Sequence, residues 1–309
     1  MSAKLKGPPC ITAYKYYLFR EAASARPPFR PTHPSIPETD TMKLHILGSC
    51  SGTEPEPGRH HTSLMLEVNE SLYVFDAGEN CAWKAHTSGL DLTAIRAIFI
   101  SHPHIDHIGG LPNLLWTLRK LDWCNPHCMA GKAVDVFTSC EPAFEAVLQL
   151  LRYTEGGFNI NFSLNHHALH PGVILQNADL TVETLINHHI PDDRSFSFRI
   201  VAGGKVIVFS GDVRSIEELA PWLDAGCDLL LMETGHHKVA DICHFVQARP
   251  QIAHLTFVHH GRDILDRFTD QWLTCTRLLG PDRVCISHDG QTVNFAEPLD
   301  RHTMPTVKL

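Results

Sequence analysis

The sequence predicts an α/β fold, a four-layer αββα sandwich in which two mixed β-sheets face each other and helices cover their outer sides. Two observations support this prediction. Each half of the chain contains apolar runs joined by short turns, as in β-hairpins, and then an alternation of apolar strands with amphipathic helices. Hairpins give antiparallel pairs and β–α alternation gives parallel pairs, so each half predicts one mixed sheet with helices outside. With 43% hydrophobic residues among 309, the chain is able to bury such a core.

The first 41 residues differ in composition from the rest of the chain. Their prolines interrupt any helical pattern, and their basic residues outnumber the acidic ones. This composition is typical of a disordered extension, and a transit peptide is the alternative interpretation. We therefore predict a Pro-rich disordered segment over 1–41 and one folded domain over 42–309.

The first half of the domain is predicted to begin with a strand, a turn-rich loop over 48–58 and a hairpin. Strands are expected at Lys43–Leu47, Ser63–Val68, Ser71–Phe75, Ala97–Ile100 and Val134–Phe137. Helices are expected at Asn80–Ser88, after Gly109-Gly110 through Leu118, and at Glu141–Arg152. An irregular stretch is expected from there to Pro171.

The second half repeats the same plan. Strands are expected at Leu180–Ile186, Phe196–Val201, Lys205–Ser210, Asp228–Met232, His254–Val258 and Val284–Ser287, and helices at Ile216–Leu223, Val239–Ala248 and Ile264–Leu279. Gly203-Gly204 is predicted to form the two-residue turn of a hairpin, because glycine adopts the positive φ that such turns require. Hairpin first and β–α alternation afterwards is thus the pattern of both halves.

Composition narrows the classes of function. The formal charge is −8, with no long run of Lys or Arg, which argues against an extended nucleic-acid surface. Histidine is unusually frequent at 22 residues, whereas the ten cysteines are scattered and read as reduced thiols. No apolar run is long enough for a membrane span. The sequence therefore predicts a cytoplasmic metalloprotein.

One short stretch concentrates the residue types that bind metals. His102, His104, Asp106 and His107 fall within six residues, directly after the apolar strand that ends at Ile100. In an extended or turned segment, His102 and His104 face the same point, while Asp106 and His107 reach a second point nearby. Single histidines are usually core or surface residues, but four such residues in six positions indicate two metal sub-sites.

Further candidate ligands follow the ends of later predicted strands. These are the doublet His188-His189, Asp212 in the turn Ser210-Gly211-Asp212, and the doublet His259-His260. Each is unremarkable alone, since an aspartate after Ser-Gly is a common turn residue. Their shared position at strand ends allows them to converge on one edge of the sandwich. Strand alternation does not decide which member of each doublet is used.

These residues together resemble the metallo-β-lactamase-fold hydrolase superfamily, and within it the ribonuclease Z-like phosphodiesterase branch. The main element is the H-x-H-x-D-H signature from His102 to His107, supported by the opening Gly48–Thr53, by Asp76-Ala77-Gly78, by Ser210-Gly211-Asp212 and by Asp289-Gly290. The resemblance covers residues 42 to about 295.

The resemblance implies two Zn²⁺ ions per chain, with Mn²⁺ or Fe²⁺ as alternatives. One ion would be held by His102 and His104 with His189, and the other by Asp106 and His107 with His259, while Asp212 would bridge both. Within the doublets we favour His189, from the spacing to Ile190-Pro191 and Phe196, and His259, as the first residue after its strand. Attack by a metal-bridging hydroxide is the implied chemistry, with Asp106 also able to orient the nucleophile.

A leaving group also needs a proton. Glu233 and the histidines that follow it resemble the place where ribonuclease Z carries a Glu and a nearby His, so we predict His237 as general acid polarised by Glu233. An exposed helix cap is the alternative interpretation of this histidine pair.

The expected function is hydrolysis of phosphodiester bonds in a small-molecule or short substrate. The region between 150 and 180 lacks the basic, Gly/Pro-rich arm with which ribonuclease Z proteins often grip tRNA, so extended nucleic-acid binding is not supported. An ester, lactone or thioester hydrolase using the same metal site is the alternative, and a non-catalytic metal-binding member is the third. Members of this family frequently form homodimers, so a homodimer is an expectation as well.

Overall fold

The computed structural model describes residues 42–52, 56–125 and 128–296. The predicted disordered segment over 1–41 lies outside the described residues, as does the end of the chain from 297.

Sheet 1 is built from the first half of the chain and closed by the last strand. It contains β1 (Met42–Gly48), β2 (Ser63–Val68), β3 (Ser71–Ala77), β4 (Ile95–Ile100), β5 (Ala133–Thr138), β6 (Ser163–Ala168) and β14 (Gln291–Asn294). The strands lie in the order β14-β1-β2-β3-β4-β5-β6. Pairs from β14 to β3 are antiparallel, and pairs from β3 to β6 are parallel.

Sheet 2 is built from the second half. It contains β7 (Gly172–Gln176), β8 (Leu180–Asn187), β9 (Ser195–Ala202), β10 (Lys205–Phe209), β11 (Cys227–Glu233), β12 (Ile252–Val258) and β13 (Val284–Ile286). The order is β13-β12-β11-β10-β9-β8-β7, with antiparallel pairs from β7 to β10 and parallel pairs from β10 to β13. Both sheets are therefore mixed, as predicted, and each has an antiparallel half and a parallel half.

The helices lie between the strands along the chain. They are α1 (Cys81–Thr87), α2 (Ile105–Ile108), α3 (Leu111–Cys124), α4 (Glu141–Arg152), α5 (Ala220–Leu223), α6 (Val239–Gln247), α7 (Arg262–Leu265) and α8 (Phe268–Leu279). Short 3₁₀ turns occupy Leu92–Ala94, Glu155–Phe158 and Ile216–Leu219.

Three buried apolar clusters define the layers. The central cluster combines side chains of both sheets, among them Phe75, Phe99, Phe198 and Phe209. A second cluster joins the other face of sheet 1 to helices α1, α3 and α4, and a third joins the other face of sheet 2 to α5, α6 and α8. Because each sheet is apolar on both faces, it is covered on both sides, which is the predicted four-layer αββα arrangement.

The sequence missed three strands at the edges and mistook one helical region. The stretch expected to be irregular contains β6, whose side chains are mostly exposed, so it has no alternation of apolar and polar residues. The edge strands β7 and β14 were missed as well, because with five and four residues they are too short to show a clear pattern. The helix predicted over Ile264–Leu279 is in fact two helices, α7 and α8. Among the described helices, none has the length and apolar character needed to cross a membrane.

Candidate metal centre

The candidate ligands lie at the carboxyl ends of strands that run in the same direction. In sheet 1, β4 leads to His102, His104 and α2. In sheet 2, β8, β10, β11 and β12 all point the same way, because two antiparallel pairings relate β8 to β10 and the later pairings are parallel. Their ends therefore meet at one edge of the sandwich, where loops are free to carry polar side chains.

One group of donor atoms comprises His102, His104, His189 and Asp212, and we call it site A. Nε2 of His102 lies 2.9 Å from Nδ1 of His104, which lies 3.4 Å from Nε2 of His189. Oδ2 of Asp212 is 3.5 Å from Nε2 of His189 and 3.7 Å from Nε2 of His102. Four donors from three strand ends thus surround one point.

A second group comprises Asp106, His107 and His259, and we call it site B. Oδ2 of Asp106 lies 3.4 Å from Nε2 of His107 and 3.2 Å from Nε2 of His259. Oδ1 of Asp212, the carboxylate oxygen not used in site A, lies 3.5 Å from Nε2 of His107 and 3.4 Å from Nε2 of His259. Asp212 therefore offers one oxygen to each group.

These spacings fit zinc. A tetrahedral ion with ligands at about 2.0–2.1 Å separates its donor atoms by roughly 3.3 Å, close to the distances in both groups. Nε2 of His107 and Oδ1 of Asp212 are buried and have no hydrogen-bond partner among the described residues, although such atoms are normally satisfied. Both atoms belong to site B, where a cation would satisfy them. The donor set therefore fits two metal ions, and the ligand roles themselves stay predictions.

In each histidine doublet, only one member faces a group of candidate ligands. His189 faces site A, whereas Nδ1 of His188 lies 3.1 Å from a carboxylate oxygen of Glu218 at the surface. His259 faces site B, whereas the ring of His260 lies between Phe257, whose carbonyl is 3.0 Å from its Nε2, and Arg59. The members that the sequence favoured are the ones that the structure places at the cluster.

Asp76 is a residue that the sequence prediction left out of the site. It is fully buried at the end of β3, with φ of 58°, and Oδ2 lies 2.7 Å from Nδ1 of His107. The backbone N–H of Ser101 donates to Oδ1 at 2.7 Å, and the Ser101 hydroxyl, 3.0 Å from Nδ1 of His102, donates to Oδ2 at 2.9 Å. By accepting from Nδ1, Asp76 leaves Nε2 of His107 as an acceptor for a metal. Its position at a strand end next to Ala77-Gly78 was the only signal in the sequence.

The structure places the histidine pair after β11 differently from the prediction. Nε2 of His237 lies 3.0 Å from the carbonyl of Val213 and 3.3 Å from Glu233, and His237 belongs to none of the groups of converging donors among the described residues. The ring centroid of His236 instead lies 4.6 Å from that of His189, with the two rings tilted by 56°, and its Nδ1 lies 3.0 Å from Glu233. The predicted general acid is therefore not brought to the cluster, whereas its neighbour is. Because the turn after β11 sets the ring directions, strand alternation did not reveal this.

The electrostatics keep the carboxylates of the cluster ionised. Burial alone would raise the pKa of Asp106, but the neighbouring imidazoles of His107 and His259 hold that pKa well below its usual range. Burial alone would lower the pKa of His259, but the charge of Asp212 and the hydrogen bond to Asp106 raise it to about 10. Both shifts arise from the attraction between the buried carboxylates and the imidazoles of the cluster.

Two glycines allow the backbone to approach the ligands. A Cβ on Gly52 would lie 2.7 Å from Oδ2 of Asp106, and a Cβ on Gly235 would lie 2.6 Å from Nδ1 of His259. Neither contact is possible between real side chains, so any larger residue would displace a candidate ligand.

A cavity of about 670 Å³ opens beside the cluster. His189 and His236 form its inner wall, so it is continuous with site A. Its remaining lining is mixed, with apolar Ile190, Pro191 and Val213, acidic Asp192 and Asp193, His188, and Arg214. A cavity of this size accommodates a small molecule.

Comparison of the sequence with protein families gives one family match. The sequence model described as "Anti-Pycsar protein Apyc1" matches residues 42–244. Curated relatives include ribonuclease Z of Shouchella clausii, 34% identical over 163 residues, and ribonuclease Z of Phocaeicola vulgatus, 29% identical over 158 residues. These alignments cover 52% and 49% of this chain and 48% and 47% of the relatives. The chain therefore spans about half the length of these relatives.

Solved structures show the same fold at low identity. The metallo-β-lactamase fold protein YhfI from Bacillus subtilis has a TM-score of 0.63 at 17% identity, covering 82% of this chain and 100% of that one. The short form of human tRNase Z has a TM-score of 0.61 at 17% identity, covering 81% of this chain and 98% of that one. A diphosphatase of the PhnP family has a TM-score of 0.58 at 20% identity, covering 82% and 98%.

Proposed function

Because the chain belongs to the anti-Pycsar protein Apyc1 family and is a metallo-β-lactamase fold protein related to ribonuclease Z, we propose that it is a dinuclear metal-dependent hydrolase of small phosphodiesters. The observation that carries this proposal is the pair of donor groups, sites A and B, that share the two oxygens of Asp212. Zinc is the favoured metal, since imidazole and carboxylate donors at these spacings suit it. When bound, two such ions lower the pKa of a water molecule and neutralise charge on a phosphoryl group.

The protein's own contribution begins with orientation. Asp76 accepts from His107, and Ser101 contacts His102, so the rings of both candidate ligands are fixed before a metal arrives. The two sites share a rigid base because α2 begins directly after His104 and carries Asp106 and His107 in one turn. This rigidity lowers the cost of organising the site during the reaction.

We assign the proton for the leaving group to His236 in place of His237. The imidazole of His236 lines the cavity, its side chain is 45% exposed, and Glu233 accepts from Nδ1 at 3.0 Å. Glu233 is thereby able to stabilise the ring in its protonated form, and the ring reaches the space that a substrate would fill. His237 instead contacts the carbonyl of Val213 and supports the turn after Asp212.

The two adjacent histidines provide a matched test of this assignment. His236→Ala should lower kcat for a phosphodiester with a poor leaving group about 100-fold, the lower end of general acid–base contributions. It should have much less effect on a nitrophenyl ester, whose leaving group needs no proton. His237→Ala should keep the difference between the two substrates as in the wild type. Equal losses on both substrates for His236→Ala would refute the role.

The cavity supports a small phosphodiester as substrate. Arg214 is the only Lys or Arg among its lining residues, and its guanidinium has no hydrogen bond or ion pair within the described ranges, so its donors are available to an anionic group. The acidic Asp192 and Asp193 lie on the same wall, and the chain as a whole carries a formal charge of −8. This balance disfavours a long polyanion such as tRNA and favours a single phosphodiester.

The test compares substrate classes with the metal content measured in parallel. The zinc-loaded chain should hydrolyse bis(p-nitrophenyl) phosphate, and it should act weakly on a panel of esters, lactones and thioesters. Asp212→Asn should abolish this activity, whereas Asp228→Asn, which alters a surface carboxylate bound to Lys205, should retain it. Preferential turnover of the ester and lactone panel would assign the site to carboxylic esters, and a chain holding less than one zinc per subunit would contradict any metal-dependent activity.

A further inference from the structure

A second buried polar cluster lies behind the metal centre and contributes no metal ligand. We call it the Arg59 cluster, and it comprises Ser49, Arg59, His60, Lys84, His260, Ser287 and Asp289. Charged groups are seldom placed in a protein interior unless they are paired and hydrogen-bonded. The contacts of the Arg59 cluster show which parts of the chain it holds in place.

Arg59 is the first centre of the cluster. Its Nη1 donates to the hydroxyl of Ser49 at 2.8 Å, to Nδ1 of His260 at 2.9 Å and to the carbonyl of Ser287 at 2.9 Å. Ser49 follows β1 in sheet 1, whereas His260 and Ser287 follow β12 and β13 in sheet 2. One guanidinium therefore joins the ends of strands from both sheets.

Asp289 is the second centre, and its side chain is only 4% exposed. It accepts from the backbone N–H of Ser49 at 2.9 Å, from the Ser49 hydroxyl at 2.7 Å and from Nδ1 of His60 at 3.0 Å. Lys84 of α1 also donates to it. Asp289 thus connects the turn before β14 to α1 and to the loop after β1.

The backbone continues the same connection towards the metal ligands. The N–H of His260 donates to the carbonyl of Ser49 at 2.7 Å, and the N–H and hydroxyl of Ser51 donate to the carbonyl of His260 at 3.1 and 2.9 Å. His259, the candidate ligand of site B, is the residue before His260. Gly52, which lies against Asp106 of the same site, is the residue after Ser51.

We propose that Arg59 and Asp289 are positioning residues for site B, which set how closely His259 of sheet 2 approaches Asp106 of sheet 1. This inference rests on the proposed metal-dependent function. The His259 ring contacts Oδ2 of Asp106 through Nε2 at 3.2 Å, whereas its Nδ1 has no hydrogen-bond partner among the described residues and its backbone lies in the left-handed region at φ of 48°. Its position is therefore determined by its neighbours, and the Arg59 cluster holds the next residue. Site A, whose ligands do not touch this cluster, is independent of it.

The test is a zinc titration of the full chain in competition with a chromophoric chelator. The wild type should bind two equivalents. Arg59→Met keeps the apolar stem of the side chain but removes its donors, and it should weaken the equivalent bound at site B by about 10- to 100-fold, the range found when groups that orient metal ligands are removed. The other equivalent should change by less than about threefold, since the histidines of site A do not contact the Arg59 cluster. Asp289→Asn, a change of the same shape, should give a smaller loss in the same equivalent and serves if Arg59→Met does not fold.

Arg283 provides a matched control, because its guanidinium also donates to three acceptors, in this case the backbone carbonyls of Val246, Arg249 and Ile252, at the opposite end of β12. Arg283→Met should lower the thermal midpoint of the metal-free chain, as Arg59→Met does, and leave both zinc affinities unchanged. If both zinc affinities are unaltered in Arg59→Met and in Asp289→Asn, the inference is overturned but the proposed function is not. Equal losses of zinc affinity in Arg59→Met and Arg283→Met would also overturn the inference, because they would show that a general loss of stability weakens zinc binding. A wild type that binds no zinc would overturn the proposed function as well.

Discussion

Asp76→Asn tests whether hydrogen bonds from residues that are not ligands orient the candidate metal ligands. In the wild type, Oδ1 of Asp76 accepts from the Ser101 N–H at 2.7 Å, and Oδ2 lies 2.7 Å from Nδ1 of His107. If the asparagine oxygen keeps the bond to Ser101, its NH₂ group faces Nδ1 of His107. That nitrogen must then become the acceptor, and the ring proton moves to Nε2, the atom that faces site B. If the amide is reversed, two buried donors face each other at Ser101 instead.

The first orientation predicts a loss of zinc affinity, and the second predicts a loss of stability. A misplaced ring proton competes with the metal, so zinc affinity at site B should fall about 10- to 100-fold, equivalent to about 1.4–2.8 kcal/mol. A buried donor without an acceptor should also lower the free energy of unfolding of the metal-free chain by about 1–3 kcal/mol. Zinc competition with a chelator measures the first quantity, and urea unfolding in excess chelator measures the second.

Asp122 provides the control for this experiment. It is also buried, and it accepts from the N–H of Met129 at 2.9 Å and from Asn161 at 2.8 Å, both distant in sequence from any candidate ligand. Asp122→Asn should cost a comparable free energy of unfolding with no change in zinc affinity. If Asp76→Asn binds zinc as tightly as the wild type and has the same free energy of unfolding, the orienting role of Asp76 is refuted.

The remaining predictions concern the doublet, the cavity and the metal. His189→Ala should reduce the zinc content by one equivalent. His188→Ala, a surface change, should leave the zinc content unaltered and change the free energy of unfolding by no more than about 0.5 kcal/mol. Metal analysis measures the zinc content of both variants, and equal contents would contradict the assignment. Arg214→Ala should raise KM for an anionic phosphodiester at least about tenfold, since a hydrogen bond to a charged group contributes about 1.5–3 kcal/mol, and a neutral ester is the control substrate. Removing zinc that was present at 100 times its Kd should cost about 2.7 kcal/mol, which calorimetry would detect as a lower thermal midpoint; an unchanged midpoint would contradict a folded-state metal site.

The sequence was sufficient to predict the fold because the periodicities of helices and strands, 3.6 and two residues, are clear in the buried elements. The strands that it missed are edge strands, and among them β6 has mostly exposed side chains, so no alternation of apolar and polar residues is present there. The long predicted helix was interrupted between α7 and α8 within a region of continuous helical pattern. Such breaks depend on tertiary contacts that composition does not encode.

The candidate site was likewise predictable from the sequence only in part. Residues His102 to His107 are close together in the chain, so their local spacing was enough to predict two sub-sites. The choice between His236 and His237 depended on the turn after β11, which fixes ring directions that strand alternation does not reach. The contact network of Arg59 and Asp289 joins residues more than 200 positions apart, and only the pairing of the two sheets brings them together.

The aromatic layer between the sheets connects the fold to the metal centre directly. Phe75 immediately precedes Asp76, Phe99 lies three residues before His102, and Phe209 lies three residues before Asp212. The rings of Phe75 and Phe99 stack at 4.8 Å in sheet 1, and both contact Phe198 of sheet 2, which stacks on Phe209 at 6.2 Å. Because sites A and B each draw donors from both sheets, the packing of these rings contributes to the separation between donor atoms. A close-packed core resists such displacement, so we expect metal affinity to be thermodynamically linked to the packing of the central layer.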